Sequence, residues 1–230
     1  MVLSSHMVKA KKALGQNFLI DKKIIHTLVE TAEISKNDVV LEIGAGTGNV
    51  TQALAKKAGK VIAVEFDRDL IPVLENNLKQ FNNVKMLNKD ILQLDISALK
   101  IENFKFKITK IIGSLPFQIT SPLIHKLLVV NENSGSEETR VAWQPIRAAG
   151  ETSEVRSTET SEVKEAALHY PTITILIQKE VAEKITAQPP DANYLSNFVQ
   201  GLANATYIQK VPKSTFDPKR ANEGGKMKDT

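Results

Sequence analysis

The chain has 230 residues, a hydrophobic fraction of 42%, no Cys and a formal net charge of +4 at pH 7. This length and apolar content suit one large or two small globular domains. The lack of Cys excludes a disulfide framework, a Cys-based zinc site and a thiol nucleophile. No apolar run approaches the ~18 residues that a membrane span needs. Residues 1–7 are too few and too polar for a signal peptide, so we expect a cytoplasmic protein.

Charge is distributed unevenly along the chain. The segment 131–169 contains eight Glu and four Lys or Arg, so its net charge is −4 and the rest of the chain carries +8. The segment is rich in Ser, Thr and Glu, and it repeats Glu-Thr-Ser-Glu-Val at 151–155 and 159–163. It has too few apolar residues to bury, so we predict a disordered or weakly helical acidic insertion with Trp143 as a loosely packed anchor. The basic remainder suits a polyanion-binding surface, although solubility alone also explains it.

Apolar periodicity predicts alternating helices and strands. In chain order, we expect a helix at 21–32, a strand at 39–43, a helix at 47–58, a strand at 60–65, a helix at 68–79, strands at 84–87 and 108–112, a helix at 121–129, a strand at 172–177, helices at 179–185 and 192–202, and a strand at 205–211. This alternation predicts right-handed crossovers and a mostly parallel sheet. The chain then divides into two core segments, 8–130 and 170–218, around the insertion 131–169, with a frayed tail at 219–230.

A glycine motif follows the first of the buried strands. Gly44, Gly46 and Gly48 stand where that strand ends and a helix opens, which lets a ligand approach backbone N–H groups at the helix N-terminus. The nicotinamide fingerprint would have Gly at position 49, where this chain has Asn49. Glu65 ends the next strand, where a carboxylate can accept both ribose hydroxyls of an adenosine ligand. The arrangement predicts an adenosine-type cofactor site rather than a purely structural turn.

Two further polar positions follow later strands. Asp90 comes after the third strand and can accept from an adenine amino group or cap a helix. Ser114-Leu115-Pro116-Phe117 ends the fourth strand and resembles the [Asn/Asp/Ser]-x-Pro-[Tyr/Phe] motif of methyltransferases that modify exocyclic amino groups. In such a motif a polar side chain and a carbonyl accept the N–H bonds of the amino group, and the aromatic ring stacks on a flipped-out base. The alternative is an ordinary strand exit with Phe117 in the core.

Three more segments resemble one family. The sequences are Lys11-Lys12-Ala13-Leu14-Gly15-Gln16-Asn17-Phe18-Leu19, Gln178-Lys179-Glu180-Val181-Ala182-Glu183-Lys184-Ile185 and Lys210-Val211-Pro212-Lys213-Ser214-Thr215-Phe216-Asp217-Pro218. With the preceding motifs, in this order, they resemble the KsgA family of rRNA adenine N6,N6-dimethyltransferases, which are relatives of the Erm methyltransferases. The resemblance covers roughly 8–129 and 170–218.

The resemblance implies an α/β fold with a Rossmann-like methyltransferase sheet and S-adenosyl-L-methionine as the cofactor. It implies these cofactor-binding residues: Asn17 and Leu19 on the methionine side, Gly44 and Gly46 against the backbone, Glu65 at the ribose, Asp90 at the adenine, and Ser114. It implies Ser114, Leu115, Pro116 and Phe117 as the catalytic motif, with Phe117 and Phe216 stacking on the target base. No metal is implied, because the methyl sulfonium is already activated.

This chain departs from the family in three respects. Ser114 stands where the family usually has Asn, the acidic insertion interrupts a short connection, and the chain ends soon after Pro218. The family's last strand and helical C-terminal domain would follow that point, so we expect a C-terminally truncated version of the fold.

We therefore predict an rRNA adenine N6-dimethyltransferase that acts as a monomer on small-subunit ribosomal RNA, without a membrane or a metal. Three alternatives stay open: a catalytically impaired RNA-binding or ribosome-assembly protein on the same fold, an Erm-like large-subunit rRNA methyltransferase, and a small-molecule methyltransferase. The basic core and the pair Phe117 and Phe216 argue against a small substrate.

Overall fold

A parallel five-stranded sheet forms the centre of the molecule. The computed structural model describes residues 10–11, 14–96, 99, 108–128 and 172–217. The strands of this sheet are β2 (Val39–Ile43), β3 (Lys60–Glu65), β4 (Val84–Asn88), β5 (Lys110–Ser114) and β6 (Thr172–Leu176). Their order across the sheet is β4-β3-β2-β5-β6, and every neighbouring pair is parallel. All five residues of β2 are buried, as expected for a central strand covered on both faces.

Helices cover both faces of the sheet. They are α1 (Lys22–Thr31), α2 (Asn49–Lys57), α3 (Ile71–Leu78), α4 (Phe117–Leu128), α5 (Lys179–Thr186) and α6 (Tyr194–Gln200). Apolar residues of α1 and α2 pack with Val40, Val61 and Ile112 on one face. Leu123 of α4 packs with Leu41 on the other face. The alternating side chains of each strand therefore contribute to two separate cores, which gives the three-layer α/β architecture that the sequence predicted.

A small antiparallel pair lies outside the main sheet. Strand β1 (Phe18–Leu19) pairs with β7 (Phe216–Asp217), so that Leu19 stands opposite Phe216. The pair joins the N-terminal segment to the last described residues. Neither strand was predicted, because two residues are too few to show any periodicity.

Most predicted elements are confirmed, with differences at their ends. The predicted helix 68–79 begins as a 3-10 turn at Arg68–Leu70 before α3. Helix α4 begins four residues before the predicted start at 121 and includes Pro122, which lacks the N–H that a helix interior normally uses. Phe117 is therefore a helical residue rather than part of an extended loop.

The predicted strand 205–211 is wrong. The structure gives this stretch no regular secondary structure, and Tyr207 and Ile208 are 39% and 58% exposed. An extended segment forms a strand only where a neighbouring backbone accepts its hydrogen bonds, and the described part of the chain provides no such neighbour there. Apolar alternation alone could not reveal that missing partner.

Several predictions fall on residues that the structure does not describe. These are the acidic insertion 131–169 with Trp143, the tail 219–230 and the N-terminal residues 1–7. Within the described ranges, no helix combines the length and apolarity that crossing a membrane requires.

Candidate active site at the carboxyl edge of the sheet

The residues predicted to bind the cofactor and the base meet at one edge of the main sheet. Because its strands are parallel, their carboxyl ends lie together, and Gly44, Glu65, Asp90 and Ser114 each stand at or just after such an end. The strand order arranges them as Asp90, Glu65, Gly44 and Ser114 over ~14 Å at the usual strand spacing. The direction of the connections reverses at β2, and open α/β sheets bind ligands in the crevice at such a switch point.

A cleft with about 320 Å³ of empty space opens to solvent at this point. It is lined by Asn17, Phe18, Leu19, Gly44, Ala45, Gly46, Thr47, Asn49, Val50 and Ser114. Five of them are residues that the sequence predicted for a cofactor: Asn17, Leu19, Gly44, Gly46 and Ser114. The cleft is thus bounded by the N-terminal segment, the glycine loop and the end of β5.

Glycine is required at two positions of the loop. Gly46 has a φ of +58°, and a Cβ there would lie 3.2 Å from Cδ1 of Phe18. Gly48 caps α2 with a φ of +87°, and a Cβ there would lie 2.9 Å from Cδ1 of Leu74. A side chain would therefore strain the backbone and fill the space between the loop and its neighbours.

Asn49 has a structural role that its departure from the nicotinamide fingerprint did not suggest. Its side-chain Nδ2 donates a hydrogen bond to the carbonyl oxygen of Leu19 at 3.0 Å. Asn49 is the first residue of α2, so this bond ties the glycine loop to the N-terminal segment across the cleft. Phe18, Thr47 and Asn49 are cleft residues that the sequence reasoning missed, although each lies next to a predicted one.

Glu65 lies beneath the glycine loop and is only 7% exposed. Its Oε2 accepts from the backbone N–H of Gly46 at 2.8 Å, and its Oε1 accepts from the N–H of Asp67 at 2.7 Å. Burial raises the pKa of Glu65 above its usual range, although these two hydrogen bonds act in the opposite direction. A carboxylate has about four acceptor sites, so hydroxyl donors can still bind to it.

A second carboxyl group, that of Glu42, is buried in the same strand that leads to Gly44. Glu42 is 2% exposed, and burial raises its pKa to about 8, with the nearby Glu65 carboxylate adding to the shift. The neighbouring Thr51 side chain acts in the opposite direction and lowers this pKa. Glu42 is therefore a neutral acid at pH 7, and it was not singled out from the sequence.

The Ser114–Phe117 motif connects β5 to α4. Ser114 lines the cleft, Leu115 is buried with its N–H bonded to the carbonyl of Leu176 at 2.9 Å, and the Phe117 ring is 57% exposed. Thr120 donates its hydroxyl to the carbonyl of Pro116 at 2.9 Å, which fixes the first turn of α4. The ring of Phe117 is thus accessible for stacking by a nucleobase, and the alternative of a core phenylalanine does not apply.

Two other predicted residues lie apart from the cleft. Asp90 accepts the N–H of Leu92 at 2.9 Å through its side chain, the capping contact that was its alternative interpretation. Phe216 is 3% exposed and packs in the core beside Leu19. The roles of Asp90 at the adenine and of Phe216 at the base stay predictions.

The sequence matches one known family along nearly its whole length. Residues 7–224 match the family described as Ribosomal RNA adenine dimethylase. The chain belongs to this family. This family assignment agrees with the resemblance that the sequence motifs indicated. It makes the chain a relative of RNA methyltransferases.

Individual relatives support the assignment. A protein named Ribosomal RNA small subunit methyltransferase A from Alkaliphilus oremlandii is 35% identical over 219 residues, which cover 94% of this chain and 64% of that protein. A protein of the same name from Clostridium botulinum is 36% identical over 220 residues, which cover 95% of this chain and 66% of the relative. This dimethylase-family chain therefore spans about two thirds of the length of these relatives.

A solved structure shows the same fold. The dimethyladenosine transferase from Plasmodium falciparum superimposes with a TM-score of 0.60 at 22% identity, over 88% of this chain and 58% of the other. The parallel sheet and its flanking helices are thus those of a Rossmann-like methyltransferase.

Proposed function

We propose that this chain is an S-adenosylmethionine-dependent methyltransferase that dimethylates N6 of adenines in small-subunit ribosomal RNA. The observation that carries the proposal is that Asn17, Gly46 and Ser114 line one cleft, while the exposed Phe117 follows Ser114 by three residues in the same motif. A cofactor in that cleft and a base on that ring would meet at Ser114.

The cleft has the features that S-adenosylmethionine requires. The positive φ angles of Gly44 and Gly46 bring backbone close to the space that a ligand would occupy. Glu65, one strand away, offers its remaining acceptor sites to the two ribose hydroxyls. Asn17 and Leu19 line the opposite wall, where the amino-acid part would lie.

Ser114 and Leu115 would prepare the target amino group. When bound, S-adenosylmethionine supplies a methyl group already activated on a sulfonium. The N6 lone pair of adenine is delocalised into the ring, so the amino group is a poor nucleophile. The Ser114 hydroxyl and the Leu115 carbonyl would accept its two N–H bonds and favour a tetrahedral nitrogen. The ring of Phe117 would hold the flipped-out base by stacking, which contributes about 1–3 kcal/mol.

The proposed macromolecular partner is the small ribosomal subunit, since both relatives carry small-subunit names and the chain outside the insertion is basic. These names favour it over the large-subunit alternative. We keep the monomer and the cytoplasm as the expected state and compartment.

A non-catalytic RNA-binding protein on the same fold is the second candidate. One observation favours it: Ser114 replaces the usual Asn of the family motif. Such a protein would bind the cofactor without transferring its methyl group.

One experiment separates the candidates. Tritiated S-adenosylmethionine is incubated with the purified protein and with undermethylated small subunits or, as a control, large subunits. The proposal expects label in small-subunit RNA that is lost in Ser114→Ala. Cofactor binding by calorimetry without any transfer to RNA would support the non-catalytic candidate instead.

A further inference from the structure

A charged cluster outside the cleft joins the N-terminal segment to the loop after β3. Lys11 Nζ lies 2.6 Å from Asp67 Oδ1, and Gln16 Nε2 donates to Asp67 Oδ2 at 2.6 Å. Gln16 in turn accepts the backbone N–H of Lys11 at 2.8 Å. We call Lys11, Gln16 and Asp67 the latch.

Asp67 is the buried member of the latch. Its side chain is 5% exposed, against 42% for that of Lys11. Burial by itself raises the pKa of Asp67, but the hydrogen bonds from Lys11 and Gln16 bring that pKa below its usual value. A second carboxylate, Asp69, lies 2.7 Å from Lys11 Nζ and is 73% exposed, so solvent screens that contact more strongly.

The segment held by the latch forms one wall of the cleft. Asn17, Phe18 and Leu19 follow Gln16 directly and line the cleft together with the glycine loop. Beyond the cleft, β1 anchors this segment through its pairing with β7 and through the bond from Asn49. The latch therefore fixes the other end of the wall.

The latch is also connected to the carboxylate proposed to bind the ribose. The backbone N–H of Asp67 donates to Glu65 Oε1 at 2.7 Å, and Glu65 Oε2 accepts the N–H of Gly46 at 2.8 Å. Asp67 thus orients Glu65 with its backbone and holds the N-terminal wall with its side chain. Only the side-chain contacts change when the carboxylate is replaced by an amide.

From these contacts we infer that Asp67 is a positioning residue that holds residues 16–19 against the amino-acid half of the bound cofactor. This inference rests on the proposed function. In the proposed function the adenosine half would lie towards Glu65 and Asp90, which stand at the carboxyl ends of β3 and β4. Breaking the latch should therefore weaken the binding of ligands that carry the amino-acid part and leave the binding of ligands without it nearly unchanged.

The test compares two ligands by titration calorimetry. S-adenosylhomocysteine carries the amino-acid part, whereas 5′-methylthioadenosine has the same adenosine and thioether without it. In Asp67→Asn and in Lys11→Met, binding of S-adenosylhomocysteine should weaken about tenfold, because a charge-assisted contact is lost. Binding of 5′-methylthioadenosine should change less than about twofold. Lys11→Arg keeps the cation and should retain most of the affinity.

Matched controls remove the same charges elsewhere. Asp191→Asn and Lys79→Met alter exposed residues outside the latch and the cleft lining, and they should leave both affinities unchanged. Thermal unfolding of each variant establishes that it is folded. If Asp67→Asn does not fold, Lys11→Met still tests the inference, because the Lys11 side chain is partly exposed and its loss disturbs the core less.

Each result bears on the inference. If the binding of both ligands weakens equally, or the binding of neither weakens, the positioning role of Asp67 is contradicted while the cofactor assignment stays in place. If the wild-type protein binds neither ligand, the proposed function and the inference fall together. In a double variant, Lys11→Met with Asp67→Asn, the loss should be smaller than the sum of the two single losses, since both changes remove the same Lys11–Asp67 contact.

Discussion

Replacing Glu42 with Gln should stabilise the protein at pH 8 and leave its stability nearly unchanged at pH 5. Glu42 is a buried residue of β2, and Gln has almost the same shape as the protonated acid. The variant therefore removes a titration without opening a cavity. The neighbouring Thr51 hydroxyl can bond to the amide of Gln as it can to the acid.

The sign and size follow from the raised pKa. The pKa of Glu42 is about 8 in the folded protein, against a reference value of 4.5. Above pH 4.5 the unfolded chain releases this proton while the folded chain keeps it, so the free energy of unfolding falls as the pH rises towards 8. The maximum slope is about 1.4 kcal/mol per pH unit, which gives a loss of roughly 3 kcal/mol between pH 5 and pH 8. In Glu42→Gln this loss should be absent.

Urea denaturation at pH 5, 6, 7 and 8 measures the effect. The difference in unfolding free energy between Glu42→Gln and wild type should grow with every step in pH. Glu75→Gln, an exposed change on α3, is the control and should follow the wild type. Asp38 and Asp67 have lowered pKa values, so their contributions change in the acid range below this window. Burial also raises the pKa of Glu65, but both proteins share this residue and the comparison is between their curves. Parallel curves for wild type and Glu42→Gln would refute a neutral buried Glu42.

Substitutions at four further positions test the site and the segment beside it. Ser114→Ala should slow single-turnover methyl transfer about tenfold or more while cofactor affinity changes less, and Ser114→Asn should raise the rate; equal rates in all three would remove Ser114 from catalysis. Glu65→Ala should weaken cofactor binding by roughly 1.5–3 kcal/mol in calorimetry, and unchanged affinity would contradict its role at the ribose. Phe117→Ala should weaken RNA binding by about 1–3 kcal/mol in a gel-shift titration, whereas Phe117→Tyr should not. In Gly15→Ala, a methyl group would meet Gln118 Oε1 at 2.7 Å in a residue with a φ of +63°, so the thermal midpoint should fall by several degrees.

Local sequence signals were sufficient for much of the candidate site. Gly44 and Gly46 were recognisable because only glycine combines a positive φ with close backbone approach. Ser114 was recognisable because it ends a strand of the parallel sheet, whose carboxyl edge collects such residues. The latch was not predictable in this way, because Lys11 and Asp67 are 56 positions apart and their contact depends on how the chain folds back.

The sequence by itself determined most of the elements, the family and the edge of the sheet where the candidate site lies, since these depend on short-range periodicity and on motifs of a few residues. Tertiary structure decided which side chains are buried, exposed or paired. It buried Glu42 and Phe216, left the ring of Phe117 exposed, and gave 205–211 no strand partner. Burial and pairing depend on residues distant in the chain, so the same apolar or acidic side chain can become a core residue, a neutral acid or an exposed stacking surface.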